Sequence, residues 1–180
     1  MGFTKPIVHS NPTLKEGDNM NPLYVGIDVS SKSNVVYLML PDGSKLSNFS
    51  VANSQDGSTQ MVKRILTAIT SHSLDTVTIG LEATSVYGDN LVYFLREDAS
   101  LAPFNRKIHV LNPKQVKKFK EAYNDLPKND YVDSFIIAAC VSVESTKRFI
   151  LEITAIRLSK TLQGHGFTLS KILYEKNSAF

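Results

Sequence analysis

Four acidic residues stand at the ends of predicted secondary-structure elements. Asp28 closes the apolar stretch that begins at Leu23, and Glu82 closes a second short apolar stretch. Asp130 and Asp133 are three residues apart at the start of a predicted helix, so they share one helix face. A carboxylate at the end of a buried strand is costly unless something neutralises it. These residue types and positions predict one shared carboxylate site.

A glycine stands two residues before each of the strand acids. Gly26 precedes Asp28, and Gly80 precedes Glu82. Because side chains alternate along a strand, each glycine lies on the same face as its acid. We therefore expect open space beside both carboxylates, enough for an ion or a phosphate.

Four carboxylates in one place require a neutralising partner, because they repel one another and raise each other's pKa. Oxygen ligands without His or Cys nearby favour Mg²⁺ or Mn²⁺ over Zn²⁺. Two such ions about 4 Å apart can activate an attacking oxygen and stabilise a leaving oxygen at a phosphodiester. We expect the four acids to be both catalytic and metal-binding. Simpler roles remain open for each acid alone, such as ending a strand or complementing a helix dipole.

The elements that must position these acids follow from hydrophobic periodicity and turn signals. The order is three strands, helix, strand, helix, strand, helix, helix, with a hairpin at Asp42-Gly43. Antiparallel hairpins followed by strand–helix crossovers predict an α/β fold, a mixed five-stranded sheet with helices on both faces. The ribonuclease H-like (RuvC-like) fold shares this order. The predicted strands cover residues 23–30, 34–40, 45–51, 75–82 and 107–111, and the predicted helices start near 59, 85, 113 and 129.

The last predicted helix carries an apolar stripe with helical spacing. We expect it to face the sheet through Val132, Phe135, Ile136, Ala139, Cys140 and Val143. Cys140 is the single cysteine, so it predicts a buried, inert thiol and a reducing compartment. No apolar run approaches the length of a membrane span, and the N-terminus lacks a signal peptide's apolar core. These features favour a cytoplasmic protein.

The net charge is only +3, so the distribution of charge is more informative than its sum. Lys114, Lys117 and Lys118 fall on one face of a predicted helix, where they could bind a phosphate backbone. A solvated helix face is the simpler alternative. The other basic residues near this helix in sequence, which we assign to the same nucleic-acid surface, are Arg106, Lys120 and Lys128.

Three sequence segments resemble a known family. GIDVSSK, GLEATSVYG, and LNPKQVKKFKEAY followed by KNDYVD are similar to the N-terminal RuvC-like domain of bacterial insertion-sequence transposases, the bridge-RNA-guided recombinases. The resemblance spans about Leu23–Ala139. It implies that Asp28, Glu82, Asp130 and Asp133 form a DEDD tetrad that binds Mg²⁺. It also implies breakage and rejoining of DNA during transposition, with DNA and a guide RNA as partners and a homo-oligomeric full-length protein.

The resemblance also sets expectations for domain organisation. We expect a flexible arm over residues 1–21, a RuvC-like catalytic domain over 22–145, and a helical tail over 146–180. The family pattern is expected to end near Cys140, which would make the tail truncated or non-native. The family's second domain supplies a nucleophilic serine, and no serine of this sequence is assigned that role. The chain alone is therefore expected to cleave DNA poorly.

Three other functions remain open at this point. A Holliday-junction resolvase of the same fold uses a similar tetrad. The actin-like sugar kinases and ATPases also begin with a Gly-Ile-Asp strand, and there the Ser30–Ser33 bend would wrap a phosphate. The kinase and ATPase interpretation is disfavoured because the chain has only nine glycines, none in an adenosine-binding cluster. The third possibility is a truncated product that binds nucleic acid without cutting it.

Overall fold

The computed structural model of the protein describes residues 21–82, 86–122 and 131–164. The five strands and four α-helices are close to those predicted. Their bounds are β1 Pro22–Val29, β2 Ser33–Met39, β3 Lys45–Ala52, α1 Gln55–Ser71, β4 Thr76–Glu82, α2 Val86–Glu97, β5 Lys107–Leu111, α3 Pro113–Glu121 and α4 Val132–Gly164.

The five strands form one mixed sheet in the order β3-β2-β1-β4-β5. β1 pairs antiparallel with β2 and parallel with β4, and β5 continues the sheet parallel to β4. The two acid-bearing strands are therefore direct neighbours. This order and these directions confirm the predicted ribonuclease H-like topology.

Local signals in the sequence fix several of these boundaries. Gly43 adopts a positive φ of 85° in the hairpin between β2 and β3, and the Asp42 carboxylate accepts a hydrogen bond from the Ser44 backbone N–H. Ser54 caps α1 by accepting from the Gly57 N–H. Asn112 caps α3 in the same way, with Pro113 as the first helical residue. Each of these turns and caps follows from residue type alone.

The sheet lies between two helical layers, as predicted. Leu23, Val25 and Ile27 of β1 pack into a core shared with α1 and α2. Tyr24, on the opposite face, packs into a second core with α3 and α4. Alternation along β1 thus places Gly26 and Asp28 on the face that α4 covers.

The space beside Gly26 and Gly80 is filled by α4, so the expectation of open space beside the acids is wrong. A Cβ at Gly26 would lie 1.9 Å from the Ser134 carbonyl oxygen and 2.4 Å from the Ala138 nitrogen. A Cβ at Gly80 would lie 2.4 Å from a methyl group of Val141. The glycines permit the close approach of a helix backbone to the sheet.

The face of α4 that meets the sheet is rotated from the predicted stripe. The residues against Gly26 are Ser134 and Ala138, and those against Gly80 are Ile137 and Val141, each pair one helical turn apart. The predicted member Val143 is 39% exposed. Apolar periodicity alone does not identify this face because it includes a serine, which is buried and donates its hydroxyl hydrogen to the Tyr131 carbonyl.

Helix α4 runs without interruption past residue 145, where the catalytic domain was predicted to end.

Cys140 is buried on this helix, and burial together with the charge of Glu144 raises the pKa of its thiol to about 11. The predicted burial of this thiol is confirmed, and its raised pKa is in line with the expected low reactivity. Within the described parts of the chain, no helix combines the length and apolar character that crossing a membrane requires.

The close approach of α4 predicts opposite outcomes for two glycine substitutions. Gly26→Ala should lower the free energy of unfolding by about 3 kcal/mol, because the added methyl group meets helix backbone that cannot yield locally. Gly88→Ala, in α2, places its methyl group 3.6 Å from Leu81 in ordinary contact and should be neutral or stabilising. Chemical denaturation measures both. Equal stability of the two variants would show that the packing of α4 on the sheet does not require a glycine at position 26.

Candidate metal centre

Asp28 and Glu82 lie side by side at the same edge of the sheet. In the parallel pairing of β1 with β4, Gly26 is opposite Gly80 and Ile27 is opposite Leu81, and the two acids are the next residues on each strand. Neighbouring strands are about 4.8 Å apart. Both acids are partly buried. The register therefore brings together two of the predicted site residues.

Asp133 reaches the same place from the first turn of α4. The contact of Gly26 with Ser134, the next residue, fixes this end of the helix on β1. The Asp133 carboxylate forms an ion pair with the ammonium group of Lys120, which lies at the end of α3. Asp130, the fourth predicted acid, lies outside the described residues.

The three described acids interact electrostatically. Burial raises the pKa of Asp28, the negative charge of Asp133 raises it further, and the positive charge of Lys120 opposes the rise. Burial likewise raises the pKa of Glu82, with further contributions from the charges of Asp28 and Asp133 and an opposing one from Lys120. Each of these shifts requires the groups to be near one another. The arrangement is one cluster of three carboxylates and one ammonium group.

The chemistry of this cluster fits a hard divalent cation. All the donors are carboxylate oxygens, which Mg²⁺ and Mn²⁺ prefer. Within residues 21–82, 86–122 and 131–164, however, no three His, Cys, Asp or Glu side chains are already close enough to hold a metal ion. Carboxylates repel one another, and Lys120 supplies the positive charge at Asp133. A cation would therefore have to replace Lys120 and draw the carboxylates inward.

Lys120 differs from the other lysines of α3 because of its position on the helix. It follows the buried Val116 by four residues, which places it on the side of α3 next to the Asp133 carboxylate. This spacing was available in the sequence, although Lys120 was assigned only to the nucleic-acid surface. Lys114, Lys117 and Lys118 are exposed and form no ion pair with any described residue.

The remaining predicted site residues have other surroundings. Arg106 donates hydrogen bonds from its guanidinium group to the backbone carbonyls of Arg96 and Asp98, so it ties the end of α2 to the start of β5. Lys128 lies outside the described residues.

The bend after Asp28 is closed by its own hydrogen bonds. The Ser30 hydroxyl donates to the Ser33 carbonyl at 2.7 Å and accepts from the Ser33 N–H at 3.1 Å. Asn53 donates to the Ser30 carbonyl at 2.7 Å. The first two contacts occupy the Ser30 hydroxyl and the Ser33 N–H, two groups that a phosphate-wrapping loop would present, so they do not favour the kinase alternative.

A protein-family model of IS110 DEDD transposases matches residues 25–160, which is more than half of the chain. The chain belongs to this transposase family. The match continues well beyond Ala139, so the end of the family pattern predicted near Cys140 is wrong. α4 is thus part of the family domain over most of its length.

Several solved structures are similar in fold at low sequence identity. RuvC of T. thermophilus, in complex with a Holliday junction substrate, is 12% identical over 73% of this chain and 96% of its own, with a TM-score of 0.46. The Fowlpox virus resolvase, in complex with Holliday junction DNA, is 12% identical over 72% and 99%, with a TM-score of 0.44. An Aquifex aeolicus member of the Ppx/GppA family is 17% identical over 61% and 41%, with a TM-score of 0.39. No curated protein matches the sequence.

The raised pKa of Asp28 predicts a stability that falls as pH rises. The folded state binds the Asp28 proton more tightly than the unfolded state, so ionisation of Asp28 opposes folding. In a metal-free buffer, Asp28→Asn should therefore be more stable than the parent protein, with a difference that grows as the pH rises above about 4. Denaturation at several pH values measures it.

Asp42→Asn is the matched control with the opposite sign. Hydrogen bonds from Ser44 lower the pKa of Asp42, so its carboxylate contributes stability that is lost as pH falls. Asp42→Asn should lose stability relative to the parent protein at neutral pH. If Asp28→Asn behaves like Asp42→Asn, Asp28 is not in a repulsive, desolvated cluster.

Proposed function

We propose that this domain catalyses divalent-metal-dependent cleavage and exchange of DNA strands during transposition of its insertion sequence. Asp28, Glu82, Asp133 and, by its position in the sequence, Asp130 are the proposed ligands of one or two Mg²⁺ or Mn²⁺ ions. The observation that supports this most directly is the meeting of three carboxylates from β1, β4 and α4 at one sheet edge. Membership in the transposase family supplies the DNA substrate.

In this proposal the protein's own groups have separate tasks. The metal ions, when bound, would polarise the phosphodiester and stabilise the attacking and leaving oxygens. Asp28 and Glu82 hold fixed positions on paired strands, whereas Asp133 is held by a helix end. When a metal ion displaces Lys120 from Asp133, the Lys120 ammonium group would stay near the acids, where it can contact a substrate phosphate.

The exposed face of α3 is the proposed contact with the nucleic-acid backbone. Lys114, Lys117 and Lys118 lie about 100° apart or less around the helix, on the side away from Val116. α3 ends next to the acids through the Lys120–Asp133 ion pair, so a strand bound along α3 would lead to the site. The same charges suit DNA or a guide RNA. A guide RNA and a homo-oligomeric assembly are supported only by the resemblance to the family.

The resolvase alternative remains a second use of the same carboxylates. The family match supports the transposase function over it. Efficient Mg²⁺-dependent cutting of a four-way junction by this chain would instead favour the resolvase.

Metal binding is the direct test of the proposed site. Calorimetric titration with Mn²⁺ at neutral pH should detect binding to the parent protein and none to Asp28→Ala. Lys120→Met should bind Mn²⁺ about two- to fivefold more tightly, because the ion no longer competes with a half-exposed ion pair.

Lys117→Met serves as the control for the loss of one lysine from the same helix. It should leave Mn²⁺ affinity close to that of the parent, because Lys117 makes no ion pair with the described acids. Equal weak binding by the parent protein and Asp28→Ala would reject the metal site. Weaker binding by Lys120→Met would show that Lys120 does not compete with the metal.

Binding of nucleic acid should depend strongly on salt. Replacing both Lys117 and Lys118 with Gln should reduce the slope of log affinity against log salt by about two, because each of these lysines is expected to neutralise one phosphate. Lys63→Gln changes an exposed lysine on α1, on the opposite face of the sheet, and should leave the slope unchanged. A slope that is the same in the double variant and the parent protein would make α3 an ordinary solvated surface.

A further inference from the structure

A cavity of about 470 Å³ lies on the α1 and α2 side of the sheet, at the end of the sheet where β1 and β4 carry Asp28 and Glu82. Its walls come from the bend after β1, the start of α1 and one face of α2. The described residues that line it include Ser31, Asn53, Gln55, Tyr87, Asn90 and Phe94. This size is within the range of small-molecule and cofactor sites in proteins.

Two of these walls continue directly from the acid-bearing strands. Ser31 follows Asp28 by three residues, and Tyr87 follows Glu82 by five. A strand of nucleic acid with one phosphate at the carboxylates could therefore continue along the same end of the sheet toward the cavity.

The chemistry of the lining suits a base, because it combines uncharged polar groups with aromatic rings. No charged side chain belongs to the described lining. The amide groups of Gln55 and Asn90 are exposed and form no hydrogen bond with any described residue. Each amide offers both a donor and an acceptor, the groups that read the edge of a base.

The face of helix α2 that lines this cavity has the spacing of a buried stripe but includes exposed residues. Tyr87, Asn90, Leu91 and Phe94 are spaced i, i+3, i+4 and i+7, which is the spacing of a buried stripe. Leu91 is 2% exposed and closes the bottom, but Tyr87 is 50% exposed and Asn90 is also exposed. An aromatic ring at the mouth of a cavity is suited to stacking on a base.

We propose that this cavity binds one unstacked base of the DNA strand whose phosphate lies at the carboxylates. The base would stack on Tyr87, and the amides of Gln55 and Asn90 would contact its edge. This proposal rests on the proposed function, since it requires a DNA strand at the acids. It adds a site for the base, separate from the metal ligands and from the lysines of α3.

Fluorescence anisotropy with single-stranded DNA of about 12 nucleotides, in Ca²⁺, tests this proposal. Tyr87→Leu should weaken binding about tenfold at every salt concentration without changing the salt slope, because stacking releases no counterions. Asn90→Leu should weaken it less. Tyr93→Leu changes a 70% exposed tyrosine on the same helix outside the cavity and should bind as the parent protein does.

A second oligonucleotide separates this proposal from the proposed function. On DNA of the same length whose bases are replaced by abasic sites, Tyr87→Leu and the parent protein should bind equally. If the parent protein binds both oligonucleotides equally, the base site is rejected while backbone binding stands. If it binds neither, both proposals fail.

If Tyr87→Leu weakens binding of single-stranded RNA alone, the occupant is not DNA and the proposal is overturned. Thermal unfolding of Tyr87→Leu should match that of Tyr93→Leu, which excludes misfolding as the cause.

Discussion

The close packing of α4 against two glycines is the constraint on which the site depends. Gly26 and Gly80 are opposite one another on paired strands, and the helix lies over both. Any side chain there would push the helix away from the sheet. Because Asp133 is the residue next to Ser134, the contact that seats the helix also places the third acid beside the other two. Packing and chemistry therefore depend on the same two positions.

The carboxylates brought together in this way repel one another. Among the described residues, one ammonium group, that of Lys120, offsets their charge. Burial and mutual repulsion raise the pKa values of Asp28 and Glu82, and Lys120 opposes both shifts. An exposed ion pair contributes little stability, and the Lys120–Asp133 pair is about half exposed on both sides. The negative charge of the cluster is therefore only weakly neutralised. A divalent cation would gain more electrostatic free energy here than at a site whose charges are already paired.

Much of the fold could be predicted from the sequence, because its signals are local. The hairpin at Gly43, the caps at Ser54 and Asn112, and the order of strands and helices along the chain all follow from residue type and periodicity. The role of the glycines could not, since an absent side chain indicates open space and close approach equally well. The sheet-facing side of α4 was missed for a related reason: a helix that packs on glycines can use Ser134 where an apolar stripe is expected.

Convergence of the acids from β1, β4 and α4 on one cation can be observed directly. The measurement is a crystal structure of the protein grown with Mn²⁺, with anomalous scattering recorded at the manganese edge. We expect a peak about 2.0–2.4 Å from oxygens of Asp28, Glu82 and Asp133, with Lys120 withdrawn from Asp133. A peak bound by only one of these acids, or an intact Lys120–Asp133 ion pair at saturating Mn²⁺ with no peak at this sheet edge, would contradict the shared metal site.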